Sequence, residues 1–216
     1  MLKVGLTGGI GSGKSAVGAM LVSLGAHLVQ ADQIAHQLMQ PGEAVFEEVV
    51  RQFGTGILEP DGRINRQKLA DAAFGSSQQN PPRQSRIEEL NRIVHPAVTR
   101  RQEEWMEEMG RQDPQAIAIV EAALILEAGQ AKRFDRLVVV TCPLEVRVQR
   151  WARRTGGDEA AARKELERRR AAQLPDEEKV RAADYVIDNS GTMAETELRT
   201  QAVFVELRRE AESSEP

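Results

Sequence analysis

The sequence predicts an α/β protein built on a doubly wound, five-stranded parallel sheet, with a helical insertion after the second strand and a lid after the fourth. Three observations predict it. Short β-rich runs alternate with longer stretches at helical spacing. Several of the short runs are almost continuously apolar, which is what a parallel sheet needs when helices cover both of its faces. A glycine-rich turn stands directly between the first strand and the first helix.

The elements follow in order. "KVGLT" (3–7) is the first strand, and 14–24 is the first helix, with Val17, Met20, Leu21 and Leu24 recurring on one face. "AHLVQAD" (26–32) is the second strand and "AIAIVEA" (116–122) the third. The stretch between them is too long for a plain crossover and carries its own helical pattern over 83–109, through Leu90, Ile93, Val94, Val98, Trp105, Met106 and Met109. A mostly helical insertion is therefore expected over 40–112, interrupted by a loop at "FGSSQQNPPRQS" (74–85). "RLVVVTC" (136–142) is the fourth strand. Arginines and a lysine crowd a helical pattern over 146–175, the expected lid, before the fifth strand "DYVIDN" (184–189). The tail "EAESSEP" reads as frayed.

Composition removes several functional classes. The 216 residues suit a single domain, 1–216, with a sizeable core. A formal net charge of −4 gives no general attraction to nucleic acid or to anionic membranes, so no partner of either kind is expected. Cys142 is the single cysteine, so there is no intrachain disulfide, and the three histidines show no metal-ligand spacing with it that would suggest zinc. No apolar run approaches the roughly 20 residues of a membrane helix, and "MLKVGLTGG" lacks the pattern of a signal peptide. A soluble, cytoplasmic protein is expected; its oligomeric state is not legible.

The chemistry concentrates in "GGIGSGKS", which fits the phosphate-loop spacing from Gly8 to Gly13-Lys14-Ser15. Gly8, Gly9, Gly11 and Gly13, with Ser12 among them, let successive backbone N–H groups curl around a phosphate. The following helix points its positive end at the same anion. Lys14 reaches the β- and γ-phosphates, and the Ser15 hydroxyl is a ligand for Mg²⁺. The bland alternative, a glycine turn with a solvated lysine, does not explain the agreement of motif and both flanks. The fold class is thus P-loop NTPase-like. An "NKxD"-type guanine reader is missing and the chain is too short for a large mechanical ATPase, which leaves kinases of small acceptors using ATP and Mg²⁺. Asp32 falls at the carboxyl edge of the sheet, where open α/β folds collect ligands. It reads equally as a general base or Mg²⁺ support and as the N-cap of "QIAHQL".

The segments "LTGGIGSGKS", "ADQIAH", "DGRINRQKL", "IVHPAV", "LILEAG" and "QLPDEEKVRAADYVIDNSG", in that order over residues 3 to 192, resemble the dephospho-CoA kinase family. The resemblance implies transfer of the γ-phosphoryl of ATP to the ribose 3′-hydroxyl of dephospho-CoA, the last step of coenzyme A synthesis. It implies that Asp32 is the catalytic base and binds the acceptor. It singles out Arg150 and Arg154 among the lid arginines, with Gln173 beside them. It places His95, otherwise read as a structural hydrogen-bonder, on the CoA side. It makes the backbone of Ala16 a contact of the α-phosphate, and Asn189 and Gly191 the frame of the adenine, where "NSG" alone reads as a turn. The chain departs from the family pattern at Gln30, where aspartate is usual, and at Ala123 in Ala123-Leu124-Ile125-Leu126-Glu127, where proline is usual. The runners-up are a nucleoside monophosphate kinase and a nucleotide-dependent switch without catalysis.

Overall fold

The computed structural model describes residues 1–74, 85–171 and 173–213. In chain order the elements are β1 (Leu2–Gly8), α1 (Lys14–Ser23), β2 (His27–Gln30), α2 (Ala31–Leu38), α3 (Ala44–Phe53), a 3-10 turn at Thr55–Ile57, α4 (Arg66–Phe74) and α5 (Ile87–Gln112). They continue with β3 (Ile117–Glu121), a 3-10 turn at Ala131–Arg133, β4 (Arg136–Thr141), α6 (Leu144–Thr155), α7 (Glu159–Arg170), α8 (Asp176–Arg181), β5 (Tyr185–Asp188) and α9 (Met193–Ser213). The strands form one five-stranded sheet in the order β2-β3-β1-β4-β5, and every pairing is parallel.

Alternation along the strands explains the double winding. Leu2, Val4 and Leu6 of β1, Ile117 and Ile119 of β3, and Val138 and Val140 of β4 share one face. There they pack with Val17 and Leu21 of α1 and with Phe204, Leu207 and Ala211 of α9. The intervening Leu137 and Val139 of β4 point the other way and pack with Ile125, Phe134 and Ala183. The central runs of β3 and β4 are therefore apolar on both sides, as their continuous sequences imply, whereas β1 places Lys3, Gly5 and Thr7 on its second face. A third cluster joins α6 to α7 through Val148, Ala152, Ala162 and Leu166, with Ile10 of the glycine-rich loop packed against it. Asp158 starts α7 as its N-cap, accepting a hydrogen bond from the backbone N–H of Ala161 at 2.7 Å.

The chain divides into two compact units: Met1–Gln30 with Met106 onward, which holds the sheet, and Ala31–Trp105, which is helical. The helical unit begins at the first residue of α2 rather than at 40, and its boundary falls inside α5 rather than at 112. Its interior is built from Ile34 and Leu38 of α2, Val45, Phe46 and Val49 of α3, Leu69 and Ala73 of α4 and Val94 and Val98 of α5. A bridge between Leu58 and Ile64 closes the "EPDGR" turn, where Glu59 N–H donates to Arg63 O at 2.8 Å.

Three boundaries differ from the sequence reading. The second strand ends at Gln30, which pairs with Glu121, the last residue of β3. Ala31 and Asp32 have no ladder partner beyond that point and open α2 instead. Helix α5 starts at Ile87 and contains Pro96. The tail is ordered further than composition suggests: α9 runs to Ser213, because Ala211 is fully buried on the sheet. Within the loop read at 74–85, residues 75–84 lie outside the described residues. Among the described residues no helix is long and apolar enough to cross a membrane.

Candidate functional site

The glycine-rich loop leaves the carboxyl end of β1, the middle strand of the sheet, and enters α1. It is a tight turn, with Ser12 N–H donating to Gly9 O at 3.2 Å. Gly13 occupies the N-cap of α1 at φ 94°, left-handed backbone that disfavours a side chain. A Cβ there would also run into the Asn189 amide nitrogen. That nitrogen donates to Ser12 O at 2.8 Å, and Asn189 Oδ1 accepts from Thr196 Oγ at 2.9 Å. Asn189 is thus a strut between the loop and α9. Lys14 Nζ folds back over the loop, donating to Gly8 O at 3.0 Å and Gly9 O at 3.3 Å. The first turn of α1 carries no acidic side chain of its own. Ala16, in that turn, uses its N–H on Gly13 O at 3.0 Å.

Ser15 Oγ donates to Glu121 Oε1 at 2.7 Å, and Gln30 Nε2 donates to Glu121 Oε2 at 3.1 Å. Glu121 is largely buried at the end of β3, in register with Leu6 of β1. Sequence reasoning did not select it; the available signal was a lone carboxylate closing the apolar run "IAIV". Gln30 has a consequence here. A carboxylate at that position would set two negative charges side by side, whereas the amide donates to the one that is present. Ser15 and Glu121 offer only oxygen donors, which fits a hard cation such as Mg²⁺ that keeps most of its shell in water and substrate phosphate.

On the far side of the loop, Arg150 of α6 donates from Nη1 to Asn189 O at 2.8 Å and from Nη2 to Gly191 O at 3.2 Å. Gln173 Oε1 accepts from Ile10 N–H at 3.1 Å. The structure therefore brings Arg150, Gln173, Asn189 and Gly191 together around the loop that holds Lys14 and Ser15. Arg154 lies outside this group, with its guanidinium 4.6 Å from the centre of the Trp151 ring. Asp32 and His95 belong to the helical unit and both are exposed. Asp32 sits in the first turn of α2, inside the helix rather than at its cap, and no hydrogen bond engages its carboxylate among the described residues.

Two further buried charged groups escaped the sequence reading. Arg147 is 1% exposed and donates to Cys142 O at 2.5 Å, to Ile10 O at 3.4 Å and to Asp176 Oδ2 at 2.7 Å. Lys179, fully buried, pairs with Glu127 at 2.7 Å. Burial also pushes the Cys142 thiol above the usual range, against the pull of Arg150 and Arg147.

The dephospho-CoA kinase family model matches residues 2–195. A dephospho-CoA kinase of Aquifex aeolicus (strain VF5) is 40% identical over 210 residues, covering 97% of this chain and 100% of the relative. The crystal structure of TT1252 from Thermus thermophilus superposes with a TM-score of 0.74 at 33% identity, covering 95% of this chain and 97% of that one. A dephospho-CoA kinase from Campylobacter jejuni shares the fold, with a TM-score of 0.68 at 23% identity over 96% of this chain and 98% of its own. A phosphate loop on a five-stranded parallel sheet, continuous similarity along nearly the whole length and a family match through the strut at Asn189 lead to one assignment: the chain belongs to the dephospho-CoA kinase family.

Proposed function

We propose that this protein transfers the γ-phosphoryl group of ATP to the ribose 3′-hydroxyl of dephospho-CoA, giving CoA and ADP. The observation that carries the reading is the near full-length similarity to the Aquifex aeolicus dephospho-CoA kinase, aligned through a phosphate loop whose lysine and serine are intact. The loop backbone from Gly8 to Ala16, including Gly9, Gly11, Ser12 and Gly13, holds the phosphates of ATP. Lys14 exchanges its carbonyl partners for the β- and γ-phosphates and lowers the cost of the charge that develops there. Ser15 and Glu121 would hold Mg²⁺, which would neutralise part of the phosphate charge. Arg150 stabilises the leaving phosphate, and Arg154 joins it from α6 when the lid over 146–175 closes on the nucleotide. Gln173 fixes the loop, while Asn189 and Gly191 frame the adenine.

Asp32 takes the proton of the attacking hydroxyl. An exposed carboxylate without an internal partner keeps its lone pairs for that bond. The helical unit with His95 binds the acceptor. The reaction suits a cytoplasmic, soluble enzyme without nucleic-acid partners.

The test is catalytic efficiency with dephospho-CoA, adenosine, AMP and shikimate at identical ATP and Mg²⁺, followed by coupled ADP release. Dephospho-CoA should lead, because binding its remote arm orients the 3′-hydroxyl. An equal or better rate with AMP would give the protein to the nucleoside monophosphate kinases. ATP binding without transfer to any acceptor would make it a switch.

A further inference from the structure

Gly9 poses a question that the phosphate-loop motif does not answer. Gly11 and Gly13 stand at positive φ, and Gly9 does not. Its backbone would accept a side chain, but the space would not: a Cβ would run into Arg147 Nη1 and come within 2.6 Å of Asp176 Oδ1. The missing side chain makes room for an ion pair between α6 and α8. Arg147 Nη2 meets Asp176 Oδ2 at 2.7 Å, with the guanidinium side 1% exposed and the carboxylate side 29% exposed.

The same residues hold the loop's backbone. Ile10 O accepts from Arg147 Nη1 at 3.4 Å, and Ile10 N–H donates to Gln173 Oε1 at 3.1 Å. Gln173 and Asp176 flank Leu174-Pro175, the connection between α7 and α8. Arg147 Nε is anchored in turn on Cys142 O, at the end of β4, at 2.5 Å. Both polar backbone groups of one loop residue are therefore gripped by side chains of the lid region: Arg147 of α6, the helix that carries Arg150 and Arg154, and Gln173 of the connection between α7 and α8.

We propose that Arg147 and Asp176 are positioning residues for the donor nucleotide: a buried clasp, fitted to Gly9, that sets the phosphate loop in its binding shape and ties it to the lid helices. The clasp touches no substrate. It acts through the Gly9–Ile10 peptide, whose displacement by about 1 Å would cost on the order of 10²-fold in a reaction governed by alignment. Because it lies on the donor side, it should alter ATP handling and leave acceptor affinity alone. This rests on the proposal that the loop holds ATP.

The experiment measures ADP affinity by calorimetry, and kcat and both KM values, on wild type, Arg147→Met, Asp176→Asn, Gly9→Ala, Arg147→Ala and the double variant Gly9→Ala/Arg147→Ala. All are assayed below their melting temperatures. Arg147→Met should weaken ADP binding and raise the KM for ATP by about tenfold or more, lower kcat, and leave the KM for dephospho-CoA within about twofold. Asp176→Asn, which keeps the shape and an acceptor oxygen, should show the same pattern at about threefold. Gly9→Ala should resemble Arg147→Met, and removing the guanidinium should relieve the tighter of its two clashes, so that the double variant loses less than the product of the two single losses. If Arg147→Met does not fold, Asp176→Asn and Gly9→Ala decide. Unchanged ADP affinity in these two, or strictly multiplicative losses in the double variant, overturns the clasp. A wild-type protein that fails to bind ADP overturns the phosphate-loop reading with it.

Discussion

Replacing Lys179 with methionine should destabilise the sheet-bearing unit more than removing a surface ion pair would. Lys179 is fully buried; its ammonium donates to Glu127 Oε1 at 2.7 Å and to Ala123 O at 3.3 Å. Glu127 also accepts from Leu174 N–H at 2.9 Å, and its second oxygen is buried without a hydrogen-bond partner among the described residues. Methionine fills the same volume but leaves a 16% exposed carboxylate with one neutral donor. Removing one partner of a buried pair costs about 3–5 kcal/mol, because the remaining charge is uncompensated. At about 2–4 °C per kcal/mol for a chain of this size, the melting temperature should fall by about 10 °C. Glu127→Gln added to Lys179→Met removes the stranded charge and should recover most of the loss, since replacing both members of such a pair is often close to neutral. Thermal and urea unfolding followed by circular dichroism measure both. A Lys179→Met variant within about 1 kcal/mol of wild type, or a double variant less stable than the single one, would refute the argument.

Asp32→Asn should lower kcat by about 10²-fold or more while leaving stability within about 0.5 kcal/mol, because the carboxylate is exposed and unpartnered among the described residues; full turnover with lost stability would make Asp32 a helix residue only. Arg150→Ala should lower kcat and weaken ATP binding together, since Arg150 also holds Asn189 O and Gly191 O, whereas Arg154→Ala, stacked on Trp151, should lower kcat with the KM for ATP within about twofold. Identical kinetics for the two variants would count against this division. Cys142 is 3% exposed and its thiol is pushed up by burial, so at pH 8 it should react with a thiol reagent about 10²-fold more slowly in the native protein than in urea; equal rates would show that the end of β4 opens freely.

What the sequence made legible follows the range of the interactions involved. The phosphate loop is visible because its requirements are local: left-handed backbone at Gly11 and Gly13, then a helix start at Lys14. The sheet is visible because strands such as "LVVV" need apolar residues on both faces, whatever their neighbours turn out to be. The sequence places the end of β2 two residues late because no glycine or proline breaks "HLVQAD", and only the end of β3 at Glu121 removes the ladder partner that Ala31 would need. Glu121, Arg147 and Lys179 escaped for the same reason. In "EVRVQRWARR" every arginine has the helix period of a solvated face. Arg147 differs from Arg154 only in what the fold brings to it: the carbonyl of Ile10, far back in the chain, and Asp176, far ahead. Gly9 belongs to both categories. As a motif position it is recognisable at once, but the reason it must be glycine is the guanidinium that only the tertiary structure places against it. A motif match therefore points to where phosphates would bind, while the shape of the loop also depends on contacts from Arg147 and Gln173, which the motif does not contain.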